Sequence, residues 1–337
     1  MATLEELRRD LARHLDDLEG YAAFSTWDLL DDFEGTEAAI LGILYEIYEW
    51  FREHGKEPSA ETRRYIENIY ERLLTVRADI EDDLDEELED VQLNTAKAQN
   101  EYYGWWYAEL YGASSRLLTQ DEILHIARDG VFNGDTRRTA LDGLFRNEAQ
   151  RLAREMVRNA ASGAPLDQAV AETRREMERT RQMGKGVIDE IINGAGNEAA
   201  AAFAVKNKAL MMYTAVMDSR TCSECSHLDG TVYDMDADDV PIPPRHYNCR
   251  CQLVPVPPAS GGGGQPMQPM GFGEYLAGMT ETERAERLGT ARLAEIGGDV
   301  AKLREYEPWR NGRGRSLADF LRRDAAARQA LTYTEKA

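Results

Sequence analysis

ETRRYIENIYERLLTVRADIEDDLDEELEDV, residues 61–91, sets Ile66, Ile69, Leu73, Val76, Ile80, Leu84, Leu88 and Val91 at successive spacings of 3, 4, 3, 4, 4, 4 and 3. Such spacing lines one face of a long helix and is heptad-like with extra drift, which predicts packing in a bundle or a helical hairpin. The middle of the stretch, EDDLDEELED, holds eight acidic residues and no base, yet Leu84 and Leu88 keep the apolar seam. It therefore reads as a strongly acidic helix face. Upstream, Leu4, Leu7, Leu11, Leu15 and Leu18 form one helical stripe, and Ile40, Ile43, Leu44, Ile47 and Phe51 form a second that Gly55 and Pro58 end. Downstream, Tyr102, Tyr103, Trp105, Trp106 and Tyr107 crowd six positions. They read as a local core closing a bundle, with an interface anchor as the rival reading.

Further along, Thr119-Gln-Asp-Glu122 is a capping box opening a helix. Helices are expected at about 136–161, 165–183 and 186–206, the last two separated by Gly184-Lys185-Gly186. That pair of glycines lacks the G-x-x-x-x-G-K-[ST] pattern of a phosphate loop. The period then changes from helix to strand, with strands expected at about 211–217, from 230 and from 251, and Asp229-Gly230 as a turn between the first two. PVPPASGGGGQPMQPMGFG (255–273) is a Pro/Gly/Ser linker. Beyond it, Thr280-x-x-Glu283 and Ser316-x-x-Asp319 each cap a helix.

The expected architecture is mainly α. An acidic helical bundle (1–118) with long helices precedes a helical part (119–210). A small α+β, zinc-stapled, β-rich module (211–256), a linker (257–273) and a tethered helical tail (274–337) follow. At 337 residues the chain has room for two or three domains. Its net charge of -21 is lopsided: residues 1–120 carry 29 acidic and 11 basic side chains, whereas 121–337 carry 32 and 29. The acidic third would repel nucleic-acid phosphates. It is either a solvated face or a dock for a basic protein surface. No stretch approaches the roughly 18 apolar residues of a membrane span, and MATLEELRRD lacks the basic start and apolar run of a signal peptide. A soluble chain kept in a cytoplasm, with no membrane partner, is expected.

All four cysteines lie within thirty residues, as Cys222-x2-Cys225 and, after a spacer, His246-x2-Cys249-x-Cys251. Two pairs of sulfur donors on separate turns, brought together by a short hairpin, suit tetrahedral Zn²⁺. Two disulfides, or free packed cysteines, are the competing readings, and the first fits secreted chains better. Five donors compete for about four positions, so four cysteines, or three with His246, remain equally open. His227 is a sixth candidate beside the turn and is expected to be exposed. H-E-x-x-H and the deaminase H-x-E…P-C-x-x-C patterns are both missing, so the zinc site reads as closed and structural and the chain as no enzyme.

These residues also carry a resemblance. Asp218, Cys222, Cys225, Leu228, Gly230, Pro243, Pro244, His246, Cys249, Arg250 and Cys251 fall on a pattern of Asp, C-x2-C, Leu-x-Gly and Pro-Pro-x-His-x2-Cys-Arg-Cys. The run closely resembles the signature of the phage Mu protein F-like family, minor capsid or head morphogenesis proteins of tailed phages and prophages. The detailed match covers about 45 residues, and residues 1–120 lie outside it. The resemblance implies a virion protein inside the phage head near the portal, assembled in the host cytoplasm. Its implied partners are the portal protein and other head proteins, and its implied work is head assembly and DNA packaging or ejection. A zinc-dependent nucleic-acid-binding or processing protein is the alternative. It is disfavoured by a net charge of -4 over 211–256. The one offer to DNA is the tail, where Arg310, Arg313, Arg315, Arg322 and Arg323 could meet phosphate or a portal surface.

Overall fold

The computed structural model describes residues 4–31, 35–55, 59–112, 114–216, 221–235, 240–256 and 277–288. Helices dominate them: α1 (Leu4–Asp31), α2 (Glu37–His54), α3 (Ala60–Tyr111), α4 (Gln120–Asp129), α5 (Arg137–Ser162), α6 (Leu166–Asn207), α7 (Ser223–Leu228) and α8 (Glu281–Leu288). Strands are short: β1 (Val131–Phe132), β2 (Asp135–Thr136), β3 (Leu210–Thr214), β4 (Val232–Asp234) and β5 (Gln252–Val256). The mainly α expectation is met. The linker at 257–273, the helix opened by Ser316 and the arginines from 310 onward lie outside the described residues.

The chain forms two compact units that interleave in sequence, one from residues in 1–22, 91–134 and 190–337, the other from 23–90 and 135–189. Both draw on α3 and α6. In the second unit the predicted stripe of α2 is buried, with Ile40 and Ile47 in one cluster with Ile69 of α3 and Leu152 and Met156 of α5. Leu84 and Leu88 are fully buried, so the acidic run is helix as its apolar seam requires. The acidic face is partly engaged inside this unit. Arg137 lies 2.7 Å from Asp85 and 3.1 Å from Glu89, and Arg138 lies 3.1 Å from Asp82. Deeper, Arg77 meets Glu148 through two parallel bonds of 2.8 Å, with both side chains nearly inaccessible. That bidentate geometry satisfies the carboxylate that burial would otherwise penalise.

One expected helix break is absent. Helix α6 runs unbroken through Gly184 and Gly186. Each glycine costs about 1 kcal/mol relative to alanine, but tertiary contacts in the same stretch outweigh it. Lys185 pairs with Asp189 at 2.6 Å, Asp189 accepts a bond from Thr26 at 2.7 Å, and Ile188 is fully buried.

In the first unit the three strands form an antiparallel sheet in the order β4-β3-β5, with Met212 opposite both Val232 and Val254. Every residue of β5 is buried although it lies at the sheet edge. Helix α6 explains why. The Asn197 side chain accepts from Leu253 N at 2.6 Å and donates to the Cys251 carbonyl at 3.1 Å, while Tyr103 donates to the Leu253 carbonyl at 3.1 Å. These side chains replace the missing strand partner and close the edge. The aromatic cluster is core as expected, with Tyr103, Trp106 and Tyr107 buried, although Trp105 is exposed. Gly194 lets the Phe132 ring lie on α6, because a Cβ there would stand 2.1 Å from Phe132 Cδ1.

Candidate metal centre

The first donor pair sits on a helix the sequence pattern did not announce. Cys222 is the N-cap of α7, with extended backbone, and its sulfur accepts a hydrogen bond from Cys225 N at 3.3 Å. A thiolate gains from such a position because the first turn of a helix presents unsatisfied N–H groups. Asp229-Gly230 forms the expected turn, closed by Thr231 N to the Leu228 carbonyl at 2.9 Å, but α7 intervenes, so the turn joins α7 rather than β3 to β4. It ends α7 and straps it to β3: buried Asp229 accepts from Ala215 N at 2.9 Å, and Gly230, at φ 73°, donates to the Tyr213 carbonyl at 2.8 Å. Strands β3 and β4 are correspondingly shorter than expected, at 210–214 and 232–234.

The second donor set comes from the turn before β5. Cys249 N donates to the His246 carbonyl at 3.0 Å, and Asn248 occupies the left-handed region at φ 61°, which asparagine tolerates. This turn brings His246 Nε2 to 3.1 Å from Cys222 Sγ and 3.2 Å from Cys225 Sγ. Cys225 Sγ is 3.9 Å from Cys249 Sγ. Two triads of donor atoms thus gather, Cys222/Cys225/His246 and Cys225/Cys249/Cys251, with Cys225 common to both. All four cysteines are free thiols, so the disulfide reading is not adopted. His227 is exposed, as expected, and is outside both triads.

The donors fit a tetrahedral ion. Bond lengths of about 2.3 Å to sulfur and 2.0–2.1 Å to nitrogen give edges of about 3.8 Å between sulfurs and about 3.5 Å between sulfur and nitrogen, close to the separations found. Outer contacts orient the donors. His246 Nδ1 is 3.0 Å from the Tyr247 carbonyl, which can only accept. In a neutral ring the proton therefore resides on Nδ1, and Nε2 turns its lone pair toward the sulfurs. The Tyr213 hydroxyl lies 3.2 Å from Cys225 Sγ. Arg250, between two of the cysteines, reaches Glu19 of α1 at 2.5 Å.

Electrostatics show what an ion would supply. The Cys222 thiol is held down at about 4, first by its hydrogen bond with Cys225 and then, against burial, by His246. Cys249 is also held well below the thiol range, by contacts with Cys225 and Cys251. Cys225 is pushed up by hydrogen bonds with Cys222, Cys249 and Cys251 and by burial. Burial lowers His246, but Cys222 and Cys249 outweigh it and raise the imidazole to about 11. So many thiolates cannot coexist unaided in this core, and a divalent cation is the charge that would let the full set ionise.

Several contributors escaped sequence reading. Tyr213, Asn193, Asn197 and Asp229 are all buried and hold the frame of the centre. The Asp-Gly pair was the sole local signal among them, and it pointed to a turn. Asp218 and the tail residues Arg310, Arg313, Arg315, Arg322 and Arg323 fall outside the described residues.

Residues 128–254 match the family model described as Phage Mu protein F like protein. That segment contains both donor pairs and His246, and it bears out the resemblance read from the sequence. No curated protein and no solved structure matches the chain. Among the described residues no helix is long and apolar enough to cross a membrane.

Proposed function

We propose that this chain is a minor capsid protein of a tailed phage or prophage, working in head morphogenesis at the portal vertex and in DNA packaging or ejection. The observation that carries the reading is the family match over 128–254, which encloses the whole Cys/His constellation. The site's chemistry supports a structural role. Cys225, Cys249 and Cys251 are almost fully buried, and the donors suffice for a closed tetrahedron. A catalytic zinc keeps an open position for water or substrate; here the metal would serve as a staple, and the protein would not be an enzyme.

In this reading zinc neutralises the thiolates and cross-links α7 to the turn before β5. Cys222, Cys225, His246, Cys249 and Cys251 are the residues from which its ligands come. The remaining residues position them: Asp229 fixes the α7 knuckle on β3, Asn197 fixes the β5 end, and Tyr213 supports Cys225. The partners are the portal protein and other head proteins, met in part through the exposed carboxylates of α3 such as Asp83 and Glu86. The arginine-bearing tail offers a contact to portal or packaged DNA. Mass spectrometry of purified particles tests this directly. The chain should be present at a low, fixed ratio to the portal protein, and its absence from particles that package DNA normally would overturn the assignment.

A further inference from the structure

Five donors surround a centre that needs four, and their contacts divide them. We infer that the ligands are Cys222, Cys225, His246 and Cys249, and that Cys251 is a buried thiol outside the metal's first coordination sphere; this deepens the zinc reading and rests on it.

His246 stands at the centre of the donor cluster. Its Nε2 stands 3.1 and 3.2 Å from the two sulfurs of the α7 knuckle, and its Nδ1 is engaged by the Tyr247 carbonyl at 3.0 Å. A set of four cysteines would leave Nε2 as a protonated donor to the sulfurs, whereas as a ligand it takes a vertex of the tetrahedron beside Cys222 and Cys225. Cys222 cannot be the spare either, because it and Cys225 are fixed on one turn by the N–H···S bond of 3.3 Å. That bond is what makes the two sulfurs converge on one point.

The fourth vertex is then Cys249 or Cys251. Cys249 Sγ lies 3.9 Å from Cys225 Sγ, close to the tetrahedral edge of about 3.8 Å. It also interacts with the His246 imidazole, and its backbone N–H closes the same turn onto the His246 carbonyl at 3.0 Å. His246 and Cys249 therefore form a second knuckle facing the first. Cys251 is in contact with Cys225, Cys249 and Tyr213. Its backbone already serves as the entry to β5, with the carbonyl held by Asn197 at 3.1 Å.

Cys251 lines a small cavity at the cluster together with Cys222, Cys225 and His246, whereas Cys249 does not line it, so Cys251→Ser is the variant that decides between the two. The test measures zinc per chain and competition with a chromophoric chelator on the full-length protein and on Cys249→Ser, Cys251→Ser and His246→Ala. Cobalt-substituted wild type is recorded in parallel. Cys251→Ser should keep about one zinc with affinity within a few fold. Cys249→Ser and His246→Ala should each weaken it by roughly 100-fold or more. The wild-type cobalt spectrum should show the charge-transfer intensity of three thiolates. Loss of zinc in Cys251→Ser with retention in Cys249→Ser or His246→Ala, or a four-thiolate cobalt spectrum, would overturn the ligand set while leaving the zinc reading intact. Wild-type protein purified without chelator and containing no zinc would instead sink the zinc reading itself. Cobalt titration of the wild type needs no variant to fold and separates three thiolates from four, and Cys251→Ala, as a second variant, repeats the choice between Cys249 and Cys251.

Discussion

The two units solve the same problem in different ways: each buries negative charge. In the second unit the compensating cation is written into the chain. Arg77 meets Glu148 with side chains only 3% and 1% exposed, and Arg137 joins Asp85 and Glu89. In the first unit the sulfurs crowd around Cys225 in the core, and Arg250, which lines the cavity there, pairs with Glu19. On the proposed reading, His246 supplies one positive charge and a bound cation the rest. A unit stabilised by its own ion pairs needs nothing from solution, whereas one built on thiolates depends on metal supply and on pH.

The largest expected effect breaks that contrast at its metal end. Cys225→Ser, or removal of metal by a chelator, should cost the first unit several kcal/mol, since apparent zinc contributions in finger peptides are about 10–16 kcal/mol. Hydrogen exchange should rise across 210–214 and 252–256, while 40–51 and 149–160 stay protected. Equal loss of protection in both would show that the second unit is not self-sufficient.

Next comes the ion pair. Glu148→Gln leaves the Arg77 guanidinium buried and should cost about 3–5 kcal/mol in urea unfolding. The double variant Arg77→Met with Glu148→Leu should recover most of that loss, because it removes both charges together. A double variant no better than the single one would mean that the pair stabilises in its own right.

The pH dependence sharpens the comparison. His246 titrates at about 11 and Cys222 at about 4. A metal taking Nε2 therefore displaces a proton anywhere below about 11, whereas Cys222 is already ionised above about 4. Zinc affinity should rise with pH, by about tenfold per unit near neutrality for each proton displaced. The depressed Cys222 value also stabilises the fold: that contribution is full above the ordinary thiol range and fades as pH falls toward 4. Chelator competition between about pH 6 and 8 measures the slope, and a flat profile would contradict the proton displacement.

The smallest effect is local. Thr119 accepts from Glu122 N at 3.3 Å, and Glu122 accepts from Thr119 N at 2.6 Å. Thr119→Ala should cost about 1 kcal/mol in thermal or urea unfolding, with zinc content unchanged.

Short-range spacing encodes the helix stripes, their caps and the donor cluster. The stripes of α2 and α3 named Ile40, Ile47, Leu84 and Leu88 as core, and all four are buried. Thr119 and Thr280 capped their helices as their boxes required. The cysteine and histidine spacing named every residue of the two triads that could hold a metal. These features follow from helical period, capping chemistry and ligand type, each legible within a few residues. Tertiary structure decided the rest. Helix α6 continued through Gly184 and Gly186 because Ile188 is buried and Asp189 found Thr26 far off in sequence, and Asp229 became a buried strap because Ala215 N lay beside it. Asn197 became the edge of a sheet because β5 lay against α6, and residues 91–134 and 190–256 came together in one unit across the intervening chain. A buried polar side chain is stable only beside its particular partner, and that partner is chosen by packing over distances that no local period records.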